Sequence, residues 1–100
     1  MSITITIYTS PTCTLCPQVL RLMDKVIPGR YDVVSLEDDA ARELVVGQLH
    51  HYEAPVTVVS GPDGRVIDHW GRLSPERLRK HAANLAPAAN AVAGREAPAA

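Results

Sequence analysis

The chain has 100 residues, 46% of them hydrophobic, and its ten Lys and Arg against eleven Asp and Glu leave a net charge of −1. That length supports one domain around one core. The balanced charge, without a basic stripe, argues against a nucleic-acid partner, and no apolar run approaches the length of a membrane span.

The stretch from Met1 to Ile7 has no basic region and no long apolar block, so it does not read as a signal peptide. A cytoplasmic monomer is expected. Ile3 to Tyr8 alternates β-branched apolar with β-branched polar residues and predicts a strand. Ser10-Pro11-Thr12 is a connecting loop. From Leu15 onward, Leu15, Val19, Leu22, Met23 and Val26 fall on one helical face, and Pro28-Gly29 stops that helix. Tyr31 to Leu36 predicts a second strand centred on Val33 and Val34. Ser35 to Asp39 reads as a helix start with acid in its first turn, and Ala41, Leu44, Val45 and Leu49 continue at helical spacing. Gly47 weakens that helix without forbidding it.

His50 to Ala54 forms a loop, and Pro55 precedes a third strand, Val56 to Val59. Ser60-Gly61-Pro62-Asp63-Gly64 is dense in turn formers, so Arg65 to Trp70 returns as the second arm of a hairpin. Ser74-Pro75-Glu76 predicts a last helix, with Ser as N-cap, Pro at the first helical position, and Leu78, Ala82 and Leu85 as its apolar face. The order is β-α-β-α-β-β-α. The first two strands, joined through a helix, run parallel with a right-handed crossover. This is an α/β domain over residues 1–85, a small mixed sheet flanked by helices. Residues 86–100 are Ala- and Pro-rich, too poor in large apolar groups to offset ordering entropy, and read as a flexible tail.

Cys13 and Cys16 are the only cysteines, separated by two residues in the run Cys13-Thr14-Leu15-Cys16 between the first strand and the first helix. Two thiols at this spacing and place point to redox chemistry. A permanent bridge closing so short a loop stabilises the fold little. Cys13 is placed at the helix N-cap and Cys16 three residues in. Free backbone N–H groups and the helix dipole favour an anion there, and the thiolate is the attacking species in disulfide exchange. Cys13 therefore attacks first, and Cys16, partly beneath it, resolves the mixed disulfide. Lys25 lies a helix away, so local N–H donors do most of the pKa lowering. Pro17 removes one early backbone bond of the first turn.

Zinc is the competing reading of the cysteine pair. A structural zinc site needs four ligands, and only His50, His51, His69 and His81 remain to complete one. A zinc or iron–sulfur binding module is thus the alternative of a different class. Otherwise the histidines read as surface residues, and Asp38-Asp39 as helix-start acid. Pro55 cannot donate a backbone hydrogen bond at the strand start. On the residues alone a trans bond is the default there. The Ala54 backbone beside it could pair with an extended substrate segment. Trp70 fits a core position as well as a substrate groove, and Arg72 reads as a solvated charge in preference to a contact for glutathione carboxylates or an acidic partner tail.

Tyr8 through Cys16, then Ala54-Pro55-Val56, then Asp68-His69-Trp70 and Ser74 through Leu78 resemble the glutaredoxins, in order and over residues 1–85. The resemblance implies a thioredoxin-like fold, a nucleophilic Cys13, a resolving Cys16, a redox-active Cys13–Cys16 disulfide and a cis Pro55, with Ala54, Pro55 and Trp70 as substrate-binding residues. Within the family the chain is most similar to the NrdH-type redoxins, through Ala54-Pro55-Val56 and the Trp70 segment. Those proteins take electrons from thioredoxin reductase and reduce ribonucleotide reductase, without a bound cofactor. Glutathione-using glutaredoxins usually carry Pro-Tyr between the cysteines, a Lys shortly before them and a Gly pair after the fourth strand. Here those places hold Thr14-Leu15, Ser10 and Gly71-Arg72. The NrdH pattern has Gln before its second Cys, a similar Lys, and Ser-Gly-Phe after the Trp, replaced here by Leu15, Ser10 and Gly71-Arg72-Leu73. Glutathione stays open as the alternative electron donor.

Overall fold

A computed structural model describes residues 3–85. The tail expected over 86–100 lies outside the described residues. The elements are β1 (Thr4–Thr9), α1 (Cys16–Val26), β2 (Asp32–Ser35), α2 (Asp39–Arg42) running on into a π-helical turn (Glu43–Gln48), β3 (Val56–Ser60), β4 (Val66–Gly71) and α3 (Pro75–Ala82). No helix among them is long and apolar enough to cross a membrane.

The four strands form one sheet in the order β2-β1-β3-β4. β1 runs parallel to β2 and antiparallel to β3, and β3 runs antiparallel to β4. The predicted β-α-β-α-β-β-α order and mixed sheet are therefore those of the protein. Because β1 and β3 are central, both of their faces must be covered. One face carries Ile5, Ile7 and Val59, buried against Val19 and Met23 of α1 and Leu78 of α3. The opposite face carries Tyr8, Val56 and Val58 beneath Ala41 and Val45. The period-two alternation of β1 sorts its isoleucines onto the first face.

Three local details differ from the sequence reading. First, the second helix widens into a π turn at Glu43. Val45, Val46 and Gly47 are weak α-formers, and a Cβ at Gly47 would stand 2.8 Å from Glu43 Oε2. The Leu49 amide reaches back five residues to Leu44 O, at 2.9 Å. The acid-first start holds, with the Asp38 side chain accepting from the Ala41 amide at 2.9 Å. Second, Ser74 stands at the N-cap position of α3 without a side-chain capping bond. Pro75 still opens the helix. Third, the hairpin carries a bulge. Val59 pairs with Asp68 but Ser60 pairs with Val66, so Ile67 is left over and 55% exposed. The hairpin turn itself needs Gly64, which sits at φ +85°.

α3 is fastened to the end of β4 by a polar cluster. His81 Nε2 donates to Asp68 Oδ2 at 2.8 Å, and the His69 amide donates to Asp68 Oδ1 at 2.9 Å. Arg77 Nη1 donates to His69 O at 3.2 Å. Burial pushes the Asp68 carboxyl up, but the His81 and His69 hydrogen bonds and the nearby Arg77 and His81 charges outweigh it and hold the carboxyl below its ordinary 3.8. A depressed carboxylate adds stability that is fully present above the unfolded-state value and disappears as pH falls through the folded-state value. Unfolding midpoints in urea are therefore expected to fall below about pH 4 more steeply in the wild type than in Asp68→Asn. Parallel slopes for the two proteins would remove Asp68 as the source.

Candidate functional site

α1 begins later than its apolar pattern indicates. Cys16 is its first residue, Leu15 is the N-cap, and Cys13 stands in the loop ahead of the helix. This corrects the placement of Cys13 at the N-cap. Pro17 is the cause. With Cys13 as N-cap, residue 17 would be the first to return an amide bond to the cap carbonyl, and proline has no amide hydrogen. At the second helical position the missing donor costs nothing, since the first four amides lack intrahelical partners anyway. The first full turn is instead closed by the Val19 amide on Leu15 O, at 3.1 Å.

Cys13 and Cys16 form a disulfide with their Cα atoms 5.6 Å apart. The two sulfurs meet different surroundings. Cys16 is 5% exposed, whereas Cys13 is half-buried at the surface. The Cys16 amide donates to Cys13 Sγ at 3.0 Å. A backbone donor is thus already aimed at the outer sulfur, where a thiolate would form on reduction. The Cys13 amide itself closes the preceding turn on Ser10 O at 3.1 Å.

The groove over Cys13 has two walls. Ser10, Thr12, Thr14 and Leu15 form one, from the cysteine loop. Tyr52, Glu53 and Ala54 form the other, and Leu36 and Arg72 complete the lining. The Ala54–Pro55 peptide bond is cis. Pro55 is fully buried at the start of β3, and its carbonyl accepts the Arg72 amide at 3.0 Å. Ala54 is thus brought to the groove beside Cys13, while Pro55, next in the chain, is buried and does not line it.

Trp70 is not brought there. It is 6% exposed, within the core layer under α1 and α3, stacked on His81 at 6.0 Å and 9° between rings, with the Arg77 guanidinium 5.7 Å from its ring. It lies outside the lining of the Cys13 groove. Strand alternation explains this. Trp70 pairs with Thr57, on the sheet face that carries Ile7 and Val59, away from the loop of Tyr52 to Ala54.

Arg72 is exposed, as expected of a solvated charge, but it also lines the groove. It holds a left-handed backbone at φ +65°. Tyr52, 76% exposed, and Glu53 are further wall residues that the sequence reading passed over as loop. Their nearness to Pro55 in the chain was the available signal. For Arg72 the signal was the β3–β4 register, which puts Gly71 opposite Val56 and so the next residue beside Pro55. No group of three or more His, Cys, Asp or Glu placed to hold a metal occurs among the described residues.

No protein-family model matches the sequence, and no curated protein matches it. Solved structures do. The thioredoxin-like protein BC3987 is 26% identical, with a TM-score of 0.58 over 77% of this chain and 97% of its own. Mitochondrial thioredoxin 3 of Saccharomyces cerevisiae is 17% identical, with a TM-score of 0.63 over 84% of this chain and 79% of its own. NrdH-redoxin of Escherichia coli, a glutaredoxin-like protein with a thioredoxin-like activity profile, is 18% identical, with a TM-score of 0.58 over 77% and 92%. The class defined by fold and site is a thioredoxin-like domain with a bridged Cys-x-x-Cys pair at the end of its first strand.

Proposed function

We propose that the protein is a dithiol–disulfide oxidoreductase, an electron carrier of the NrdH type. The unequal exposure of the bridged sulfurs, with Cys13 open to the groove and Cys16 buried behind it, is the observation that carries this reading. In the reduced protein the Cys13 thiolate attacks one sulfur of a partner disulfide, and the other partner sulfur leaves as a thiolate that takes a proton. The Cys16 thiol then loses its proton and attacks Cys13 Sγ. This forms the Cys13–Cys16 disulfide and releases the second partner thiol. Two electrons pass from the cysteine pair to the partner, and no cofactor is needed within the chain. Burial of Cys16 makes it a poor target for foreign disulfides but a near neighbour of the bond it must break. An extended partner segment lies along the backbone of Ala54 and Pro55.

Electrons come from NADPH through thioredoxin reductase, and ribonucleotide reductase is the partner to test. Arg72 stands where glutathione-using glutaredoxins place a glycine, which favours this donor over glutathione. NADPH consumption with thioredoxin reductase, and separately with glutathione and glutathione reductase, tests the assignment with a small disulfide as acceptor. Turnover with thioredoxin reductase alone supports it. Turnover only with glutathione would reassign the protein to the glutathione-dependent class. In either system Cys16→Ser is expected to accumulate a covalent partner adduct on Cys13, seen by non-reducing electrophoresis and mass spectrometry. If no adduct forms, Cys16 is not the resolving thiol.

A further inference from the structure

The loop from Leu49 to Ala54 supplies one wall of the Cys13 groove, yet it emerges from the widened turn of a short helix. Its entry is tied by the His51 amide on Val45 O, at 2.9 Å, and the residue after it by Pro55 O accepting from Arg72. One side chain fastens the stretch between these points to the sheet. His51 Nε2 and His69 Nδ1 are 2.8 Å apart, half-buried, with the rings edge to face at 5.0 Å. His69 belongs to the edge strand β4, where it pairs with Val58. The His51 ring lies over Gly71, where a Cβ would meet Nδ1 at 3.5 Å. The next residues after His51 are Tyr52, Glu53 and Ala54, the groove wall itself.

We infer that His51 and His69 are positioning residues, a clamp that holds the wall formed by Tyr52, Glu53 and Ala54 in place for the partner segment beside Cys13. The inference rests on the oxidoreductase reading given above. Each ring nitrogen at the contact can donate or accept, according to its proton. With neither or one ring protonated, one nitrogen donates and the other accepts, and the clamp is closed. With both rings protonated, two donors and two positive charges face each other and the bond is lost. Burial first, and the His69 ring second, push the His51 imidazole below its ordinary value of 6.5. The second proton therefore arrives only in acid, and the clamp is closed at neutral pH. Other charged or titratable groups flank the pair. His50, Glu53 and Arg72 line the same depression as His51. Asp68 and Arg77 bond the His69 backbone, and His81 reaches Asp68. The carboxylates of Glu53 and Asp68 favour the second proton and so favour opening, and the two arginines oppose it.

Two measurements on the full chain test the clamp. In the oxidised protein, His51→Ala and His69→Ala are expected to speed amide hydrogen exchange at Tyr52 and Glu53. His69→Asn, which keeps a hydrogen-bonding group near the place of Nδ1, restores the slow rate. In turnover with a protein disulfide, the alanine variants are expected to raise KM by roughly three- to tenfold, the size of one net hydrogen bond, and to change kcat less. The wild type is expected to show a rise in KM in acid, and His69→Asn is expected to recover the neutral-pH KM and remove that rise. Unchanged exchange in both alanine variants would overturn the clamp, whatever the activity. Faster exchange with unchanged KM would leave the pair merely structural and overturn its positioning role. Neither result touches the oxidoreductase reading, which fails separately if reduction survives the loss of Cys13.

Discussion

Cys13→Ser is expected to lower protein-disulfide reduction to the background rate of the reductant alone. The change is close to isosteric at a half-buried surface position, so it alters chemistry and not packing. A thiolate attacks because its pKa lies near working pH and its sulfur is soft. A serine hydroxyl at the same place keeps its proton and forms no mixed disulfide. Cys16 cannot take over, since it is 5% exposed and, with Val19 and Met23, one of the buried residues of α1. Nor does the lost bridge unfold the protein, because a loop between residues 13 and 16 restricts the unfolded chain little. Circular dichroism of the variant should match the reduced wild type while dithiothreitol-driven insulin reduction falls to background. Activity in a folded Cys13→Ser protein would refute the assignment.

β1 announces itself because Ile3, Ile5 and Ile7 alternate with threonines, which sets one wholly apolar face toward α1. α1 is visible through Val19 and Met23, and the hairpin through the turn formers Gly61 to Gly64. The chemistry is visible too, since two cysteines, a proline and their order in the chain survive without any knowledge of distance. What is hidden comes from balances between neighbours. The start of α1 depends on one missing amide hydrogen at Pro17, which displaces Cys13 from the N-cap. The π turn depends on three weak helix formers competing with the demand that Ala41 and Val45 both face the sheet. The bulge at Ile67 reverses the side-chain alternation within β4, so strand period alone misassigns the faces there.

Long-range partners are hidden for a different reason. His51 and His69 look like surface residues because nothing local relates positions 18 apart. Only the pairing of β3 with β4 and the return of the loop to Pro55 bring them within hydrogen-bond distance. Trp70 shows the converse. Its place near the end of β4, close to Arg72, fits a groove residue, but the sheet face decides, and that face belongs to α1 and α3.

Leu78→Ala is the substitution expected to cost most stability. α3 has eight residues, far too few to be helical alone in water. Its polar ties to β4 are partly exposed: the Arg77 side chain is 51% exposed and Asp68 24%. An exposed pair of that kind contributes little, and the closer His81–Asp68 contact, with side chains 11% and 24% exposed, is one hydrogen bond of about 1–3 kcal/mol net. Leu78, at 1% exposure, is therefore the main anchor of α3 in the core, beside Trp70 and Met23. Truncating a buried leucine to alanine costs about 2–5 kcal/mol through lost burial and the cavity left behind, against a total of roughly 5–15 kcal/mol for a domain of this kind. With a urea dependence of about 1–3 kcal/mol per molar, the midpoint should fall by roughly 1–2 M. Trp70 is the single tryptophan and stacks on His81 of the same helix, so its fluorescence reports the transition directly. Lys80→Ala, on the exposed side of α3, should move the midpoint by no more than the equivalent of about 0.5 kcal/mol. Equal small shifts in the two variants would mean that α3 is held by its polar cluster and not by Leu78. The acid-induced loss assigned to Asp68 would then set the stability of the whole α3 layer.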